Sequence, residues 1–261
     1  MNSVTIEKIH ALWDELSDFE LSGSDSSVMH LLARLTEWVG ACNATWAGAL
    51  RMHGRQADDP LQGWRVVAGA ALHPISLQSD DGKHLAGVME VWDRREIDPS
   101  FLLPLKAVGH FRTYSLRRDL PAEWFETPFY QRHYGFCGIY DVVLVGFPLN
   151  EDCESHIGFY MREPISDEMI AVISYALRGI KWFHRHLMLG HGLLLAKTPL
   201  TPTEHKVMQL LLTGAPEKVI ACQMGLATST THHHVVAIYR KFGVRSRAAL
   251  VSLWVNGQKY K

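Results

Sequence analysis

The 261-residue chain has four cysteines, Cys42, Cys137, Cys153 and Cys222, and no two of them form a C-x-x-C pair. Scattered thiols suit a reducing compartment and argue against a disulfide framework or a zinc module. No apolar run reaches the roughly 18 residues that a membrane-spanning helix needs. The stretch from Met1 to Leu21 lacks a basic start followed by an apolar block. The expected location is therefore the cytoplasm, with no membrane partner. Net charge is nearly absent, at −1. Residues 1–196 also lack a Ser/His/Asp motif, a phosphate-binding glycine loop and a metal-ligand triplet, so neither an enzyme nor a cofactor is expected.

Apolar residues are plentiful. At 47% hydrophobic content the chain can build the cores of one large or two ordinary domains. The small net charge hides an asymmetry. From Pro199 onward Lys206, Lys218, Arg240, Lys241, Arg245, Arg247, Lys259 and Lys261 stand against only Glu204 and Glu217. A basic tail on an acidic body suits a nucleic-acid reader attached to a regulatory domain, although a solvated basic face gives the same count. The expected division is a regulatory and dimerisation domain at 1–196 and a reader at 197–261.

Local signals in the tail describe short helices. Thr201, three residues ahead of Glu204, forms a capping box, with Pro202 in the first turn. Val207, Leu210 and Leu211 share a face, and Gly214 stops the helix. A second helix begins at Pro216 and ends at Gly225. A third runs through Thr228 to Phe242 and closes at Gly243, and Ser246 caps a fourth through Leu250 and Trp254. Short helices with a tight turn between the second and third describe a helix-turn-helix.

Leu200, Thr201, Glu204 and Val207, the Gly214 stop, Lys218-x-Ile220-Ala221, Thr230, His234 and the run IYRKFGVRSR from Ile238 to Arg247 resemble the LuxR/NarL-type DNA-binding domain. The resemblance covers about the last sixty residues. It implies a double-stranded DNA operator as partner. Positions matching His232, His233 and Val236 would approach base edges, and those matching Lys218, Thr230, Arg240 and Lys241 would hold phosphates. The chain departs from the family's usual residues at Ala227, Thr231 and His232 and at the Pro216-Glu217 pair, where serine, valine, lysine and Ser-Asn are common.

The run His232-His233-His234 needs a direction. At about 100° per residue, Thr231, Val235, Ile238 and Phe242 form the stripe that must pack inward. His233 then lies nearly opposite the core, on the side of Arg240. Within one helix, metal chelation requires spacing i, i+3 or i, i+4, and the i+4 partners of His232 and His234 are Val236 and Ile238. No metal is expected within this helix. A zinc shared with another subunit and three merely solvated residues are the other readings. Because imidazole titrates near ~6.5 when unperturbed, operator affinity is expected to rise as pH falls through that region.

Residues 1–196 mix periods. Val28 to Ala41 has helical spacing, while Ala44 to Met52 and Gly63 to Leu72 alternate as strands around the turn HGRQADDPLQG. Ile139 to Leu149 and Ser155 to Met161 predict a hairpin turned by Asn150-Glu151-Asp152. The aromatic-rich stretch Leu120 to Tyr134 predicts short helices, and Asp167 to Leu195 one long helix. The expected fold is an α+β sensor domain, an antiparallel sheet flanked by helices, followed by an all-α four-helix reader. Its order of elements resembles the GAF-like or autoinducer-binding-like domains that precede such readers. The W-x-x-x-Y and Asp-Pro pattern of acyl-homoserine-lactone receptors is missing at Trp46 and Asp59-Pro60. Trp46, Trp64, Tyr134, Tyr140 and Phe159 are candidate lining for a small-ligand pocket, though such aromatics are more often core. The leading expectation is a homodimeric transcription regulator under small-molecule control; the alternative is a regulator whose first domain only dimerises or binds a protein.

Overall fold

The computed structural model describes residues 3–20, 23–52, 59–74, 83–94, 96–196 and 198–256. Of the predicted first turn, residues 53–58 lie outside the described residues, as do Lys259 and Lys261. The helices are α1 (Ser3–Ser17), α2 (Ser24–Val39), α3 (Lys83–Asp93), α4 (Pro99–Leu102), α5 (Leu116–Asp119), α6 (Pro128–His133), α7 (Asp167–Arg178), α8 (Lys181–Gly190), α9 (Pro202–Leu212), α10 (Glu217–Met224), α11 (Thr228–Phe242) and α12 (Arg247–Asn256). The strands are β1 (Asn43–Arg51), β2 (Trp64–Ala71), β3 (Arg112–Ser115), β4 (Asp141–Asn150) and β5 (Cys153–Met161). They form two compact units, one of residues 1–17 and 28–181 and one of residues 18–27 and 182–261. No helix among the described residues is long and apolar enough to cross a membrane.

The first unit is built on a five-stranded antiparallel sheet in the order β2-β1-β5-β4-β3. The predicted hairpin is β4–β5, tightened by the Asn150 side chain, which accepts from the Asp152 N–H at 2.9 Å. Side chains alternate across a sheet, and directly paired residues share a face. Ala44 faces Phe159 and Trp46 faces Ile157, so all four lie on one side with Val143 and Val145. The other side carries Tyr114, Val142 and Tyr160, and there Leu85, Leu116, Leu120, Trp124, Phe125, Tyr130, Tyr134 and Ile139 complete an aromatic-rich core.

The predicted long helix is two helices, α7 and α8. Glycine explains the break. The Trp13 indole lies against Gly179, where any Cβ would overlap its ring, and its Nε1–H donates to the Ala176 carbonyl at 2.9 Å. A helix carbonyl drawn off to an outside donor, next to a residue of low helix propensity, ends the run.

In the second unit α9 to α12 enclose a core of Val207, Met208, Leu211, Ile220, Val235, Ile238, Phe242, Leu250, Leu253 and Trp254. Burial of each large apolar side chain contributes about 1.5–3 kcal/mol. The capping box is formed: Thr201 N–H donates to Glu204 Oε2 at 2.7 Å and Glu204 N–H to Thr201 Oγ1 at 3.3 Å. Gly225 and Gly243 end α10 and α11 in the left-handed conformation.

Candidate functional site

The third helix of the second unit, α11, presents its side chains as the 3.6-residue period requires. Thr231, Val235, Ile238 and Phe242 are its buried residues. Thr230, His232, His233, Val236 and Arg240 are exposed, as is Lys218 on α10. Val236 is 50% exposed, a large apolar side chain left in water on the same arc as His233. Such a face offers hydrogen-bond donors and acceptors, an apolar contact and a fixed positive charge, the kinds of group that read groove edges and phosphates.

Two of the expected contacts are already engaged inside the unit. Lys241 Nζ donates to Glu204 Oε2 at 2.6 Å and to the Pro199 carbonyl at 2.8 Å, and its side chain is only 17% exposed. Burial by itself would raise the Glu204 pKa, but the hydrogen bond from Lys241 and the bonds to Thr201 outweigh it and hold the carboxylate below 4.5. Lys241 thus ties α11 to the first turn of α9. Arg240, one residue earlier, is exposed and has no ion-pair partner among the described residues. On the other flank His232 Nδ1 lies 3.0 Å from Glu217 Oε2 at the start of α10. This contact links the two helices of the motif and leaves His233 as the histidine turned wholly outward.

The first turn of α11 has no side-chain cap. Its N-cap is Ala227, in extended geometry, with no side-chain cap hydrogen bond among the described residues. A helix start with open N–H groups and a positive dipole end is suited to a phosphate. That uncapped start follows from the departure from serine noted in the sequence.

In the first unit the five candidate pocket residues do not converge. Tyr134 belongs to the aromatic core on the Tyr114 and Tyr160 side of the sheet. Trp46 and Phe159 lie on the opposite side, with Trp46 Nε1–H donating to Ser155 Oγ at 2.9 Å. Trp64 is buried at the start of β2, and Tyr140 is 37% exposed under the Arg117 guanidinium, 4.3 Å from its ring.

Sequence reading missed the polar groups on the Tyr134 side. Arg112 donates to both Glu154 oxygens, at 3.0 and 2.7 Å, and His156 Nε2 lies 3.2 Å from Glu154 Oε2. Glu154 is 2% exposed. Burial alone would raise its pKa, but hydrogen bonds from His156, Arg112 and the Gly109 N–H prevail and hold it down to about 2. Gly146 makes room for this group, because a Cβ there would lie 2.9 Å from the Arg112 guanidinium. Nearby, Trp124 Nε1–H donates to buried Asp98 at 3.0 Å. The Tyr114 hydroxyl is buried on the same sheet face and has no hydrogen-bond partner among the described residues. One signal in the sequence pointed this way: Glu154 is a charge in a strand that is otherwise largely apolar, and a buried charge needs a partner.

Comparison with known proteins bears on the second unit. The model of the bacterial regulatory proteins of the luxR family matches residues 198–254, the span of α9 to α12. Residues 198–254 are a LuxR-family domain. The transcriptional regulatory protein MctR of Rhizobium johnstonii is 25% identical over 97 residues, 36% of this chain, which spans about 45% of that relative's length. Over its whole length the chain is similar to a solved structure of SdiA in complex with octanoyl-rac-glycerol, at 11% identity and TM-score 0.49, covering 98% of this chain and 96% of that one. It is also similar to Escherichia coli SdiA, at 13% identity and TM-score 0.48, covering 98% and 99%. The ligand-binding domain of VqsR from Pseudomonas aeruginosa gives 11% identity and TM-score 0.45 over 72% of this chain and 98% of that domain. The exposed arc of α11 lies within the matched span.

Proposed function

We propose that the chain is a cytoplasmic, homodimeric transcription regulator, with residues 197–261 reading a DNA operator and residues 1–196 sensing a small molecule and pairing the subunits. The observation that carries the DNA-binding half is the exposed arc of α11 in a LuxR-family domain, with His233, Val236 and Arg240 on one side and the buried stripe on the other. On this reading His232, His233 and Val236 meet base edges, and Lys218, Thr230 and Arg240 hold phosphates, joined by the open N–H groups at the start of α11. Lys241, tied to Glu204, acts by fixing the recognition helix rather than by reaching DNA. One recognition helix spans few base pairs, so a two-fold pair supplies the contacts that a specific site needs.

The small-molecule half is supported by the Tyr114 hydroxyl in the aromatic core, which has no hydrogen-bond partner among the described residues. A buried polar atom without a partner costs about 1–3 kcal/mol. A ligand with an apolar body and a polar group near Tyr114 would offset that cost and fill the aromatic face. The reading is of a regulator rather than a catalyst, and turnover of a ligand by the full chain would count against it.

The test is selection of duplexes from a random pool by the full-length protein, with and without small molecules identified by native mass spectrometry of the purified chain. A defined two-fold operator, weakened by His233→Ala and Arg240→Ala, supports the reading. Binding without sequence preference, or unchanged in both variants, refutes the assignment of α11.

A further inference from the structure

Outside both regions, three side chains from distant parts of the sequence meet within the second unit. Asp25 is in the first turn of α2, His191 directly follows α8, and His205 is in the first turn of α9. Their ligand atoms all lie within 4.8 Å of one another. We propose that Asp25, His191 and His205 bind a divalent transition-metal cation, with zinc as the ion their chemistry fits, and that this ion braces the start of α2 and the end of α8 against the LuxR-family domain.

The orientation of His205 leads to this assignment. Its Nδ1 lies 2.7 Å from the Gly190 carbonyl, which can only accept, so the proton is on Nδ1. In the neutral ring the Nε2 lone pair then faces the Asp25 carboxylate, at 3.1 Å from Oδ1 and 3.3 Å from Oδ2, with the Gln209 side-chain amide nitrogen also 3.1 Å from Nε2. The Gln209 amide offers this pair a hydrogen bond, and a cation between the two electron-rich groups would hold them more strongly. An imidazole whose other N–H is fixed by a backbone carbonyl is the usual second-shell arrangement of a metal-ligating histidine.

The spacing agrees. In a tetrahedral site with bonds of about 2.0–2.1 Å, neighbouring ligand atoms lie about 3.3–3.4 Å apart. His205 Nε2 and His191 Nε2 are 3.1 and 3.6 Å from Asp25 Oδ1. Two imidazole nitrogens and one carboxylate oxygen are a borderline donor set that suits zinc and cobalt rather than calcium or magnesium. Asp25 is 56% exposed, which leaves a path for the ion and a fourth position for water. The two rings are now stacked, 4.2 Å apart and within 9° of parallel, so their lone pairs run side by side. Loading the ion rotates one ring out of that stack.

His205 adjoins Glu204, the residue that holds Lys241 of the recognition helix. A bound ion would therefore fix the turn on which that helix is anchored. This inference rests neither on DNA binding nor on a small-molecule ligand.

The histidine run on α11 is a rival for added metal, so the test uses the full-length chain with His232→Ala, His233→Ala and His234→Ala together. Cobalt(II) titrated into this protein should bind one ion per chain, with the visible absorption of a four- or five-coordinate centre, and zinc should displace it. Adding Asp25→Asn or His191→Gln should weaken cobalt binding by more than about 100-fold, beyond the usual effect of losing a ligand's supporting partner. The half-exposed Asp25→Asn variant should keep the metal-free melting temperature, which separates loss of the site from loss of the fold. Absence of cobalt binding in the triple-alanine chain would overturn the proposal, because a proton alone then satisfies His205 and Asp25. So would binding that survives in the Asp25→Asn/His191→Gln chain.

Discussion

Glu154 and Arg240 show how differently the two units use charge. Glu154 is 2% exposed and is held by Arg112, His156 and a backbone N–H, whereas Arg240 stands in solvent on α11. In the first unit charge is part of the interior, and removing one partner strands another. In the second, apart from the Lys241–Glu204 pair and the Asp25, His191 and His205 group, charge is displayed on a scaffold specified by apolar spacing, caps and glycine stops. A mutation at a charged residue should therefore cost stability in one unit and affinity in the other.

The sharpest way to break this contrast is Glu154→Ala. It leaves Arg112 buried without its carboxylate, and such losses cost about 3–5 kcal/mol. Denaturant unfolding of the first unit should show a drop of that order, and a drop below about 1 kcal/mol would mean that Glu154 is not what holds the group together. The same group makes the unit sensitive to acid. Its folded pKa, about 2, lies below the ordinary 4.5, so its contribution is complete above 4.5 and disappears as pH falls toward 2. The loss is about 3 kcal/mol over that window. It can be measured as the pH dependence of the unfolding midpoint, and Glu154→Gln should flatten it.

Neighbours on α11 sharpen the contrast within one helix. Lys241→Ala should destabilise the second unit by about 2 kcal/mol, because it leaves Glu204 without its closest cation. Arg240→Ala should leave the melting temperature unchanged, reduce operator affinity uniformly across sequences and lower the salt slope of binding by about 1. If the two variants exchanged behaviours, the assignment of roles along α11 would be wrong. The smallest effect should come from Ala227→Ser, which caps the open first turn and adds about 1 kcal/mol to stability. It should weaken DNA binding if a phosphate uses those N–H groups, as a gel-shift titration at fixed salt would show.

Much of the second unit was legible because its signals are local. The capping box, the Gly214 stop and the buried Thr231, Val235, Ile238 and Phe242 follow from residues within a few turns of one another. The hairpin β4–β5 was legible for the same reason. What sequence missed was long-range. Nothing near Lys241 reveals that its partner is Glu204, and nothing near Gly179 reveals that Trp13 lies against it. The candidate pocket aromatics were read as a set by residue type, yet alternation along β1 and β5 puts Trp46 and Phe159 on the side away from Tyr134. Asp25, His191 and His205 had no shared local pattern, and only the folded chain brings them together.

The sheet order also sets a timetable. β1 lies between β2 and β5, and β5 follows it by roughly a hundred residues. At translation rates of ~5–20 residues per second, β1 waits about 5–20 s for its second neighbour. In that interval β1 and β2 are at most a two-stranded hairpin, which is marginal in water, and Ala44 and Trp46 have no Phe159 or Ile157 to cover them. The helices α9 to α12 are made last but rely on contacts close in sequence, so they can close quickly after synthesis. The nascent chain is thus most exposed to aggregation before β5 emerges, and a pause in synthesis between β2 and β5 would lengthen that window.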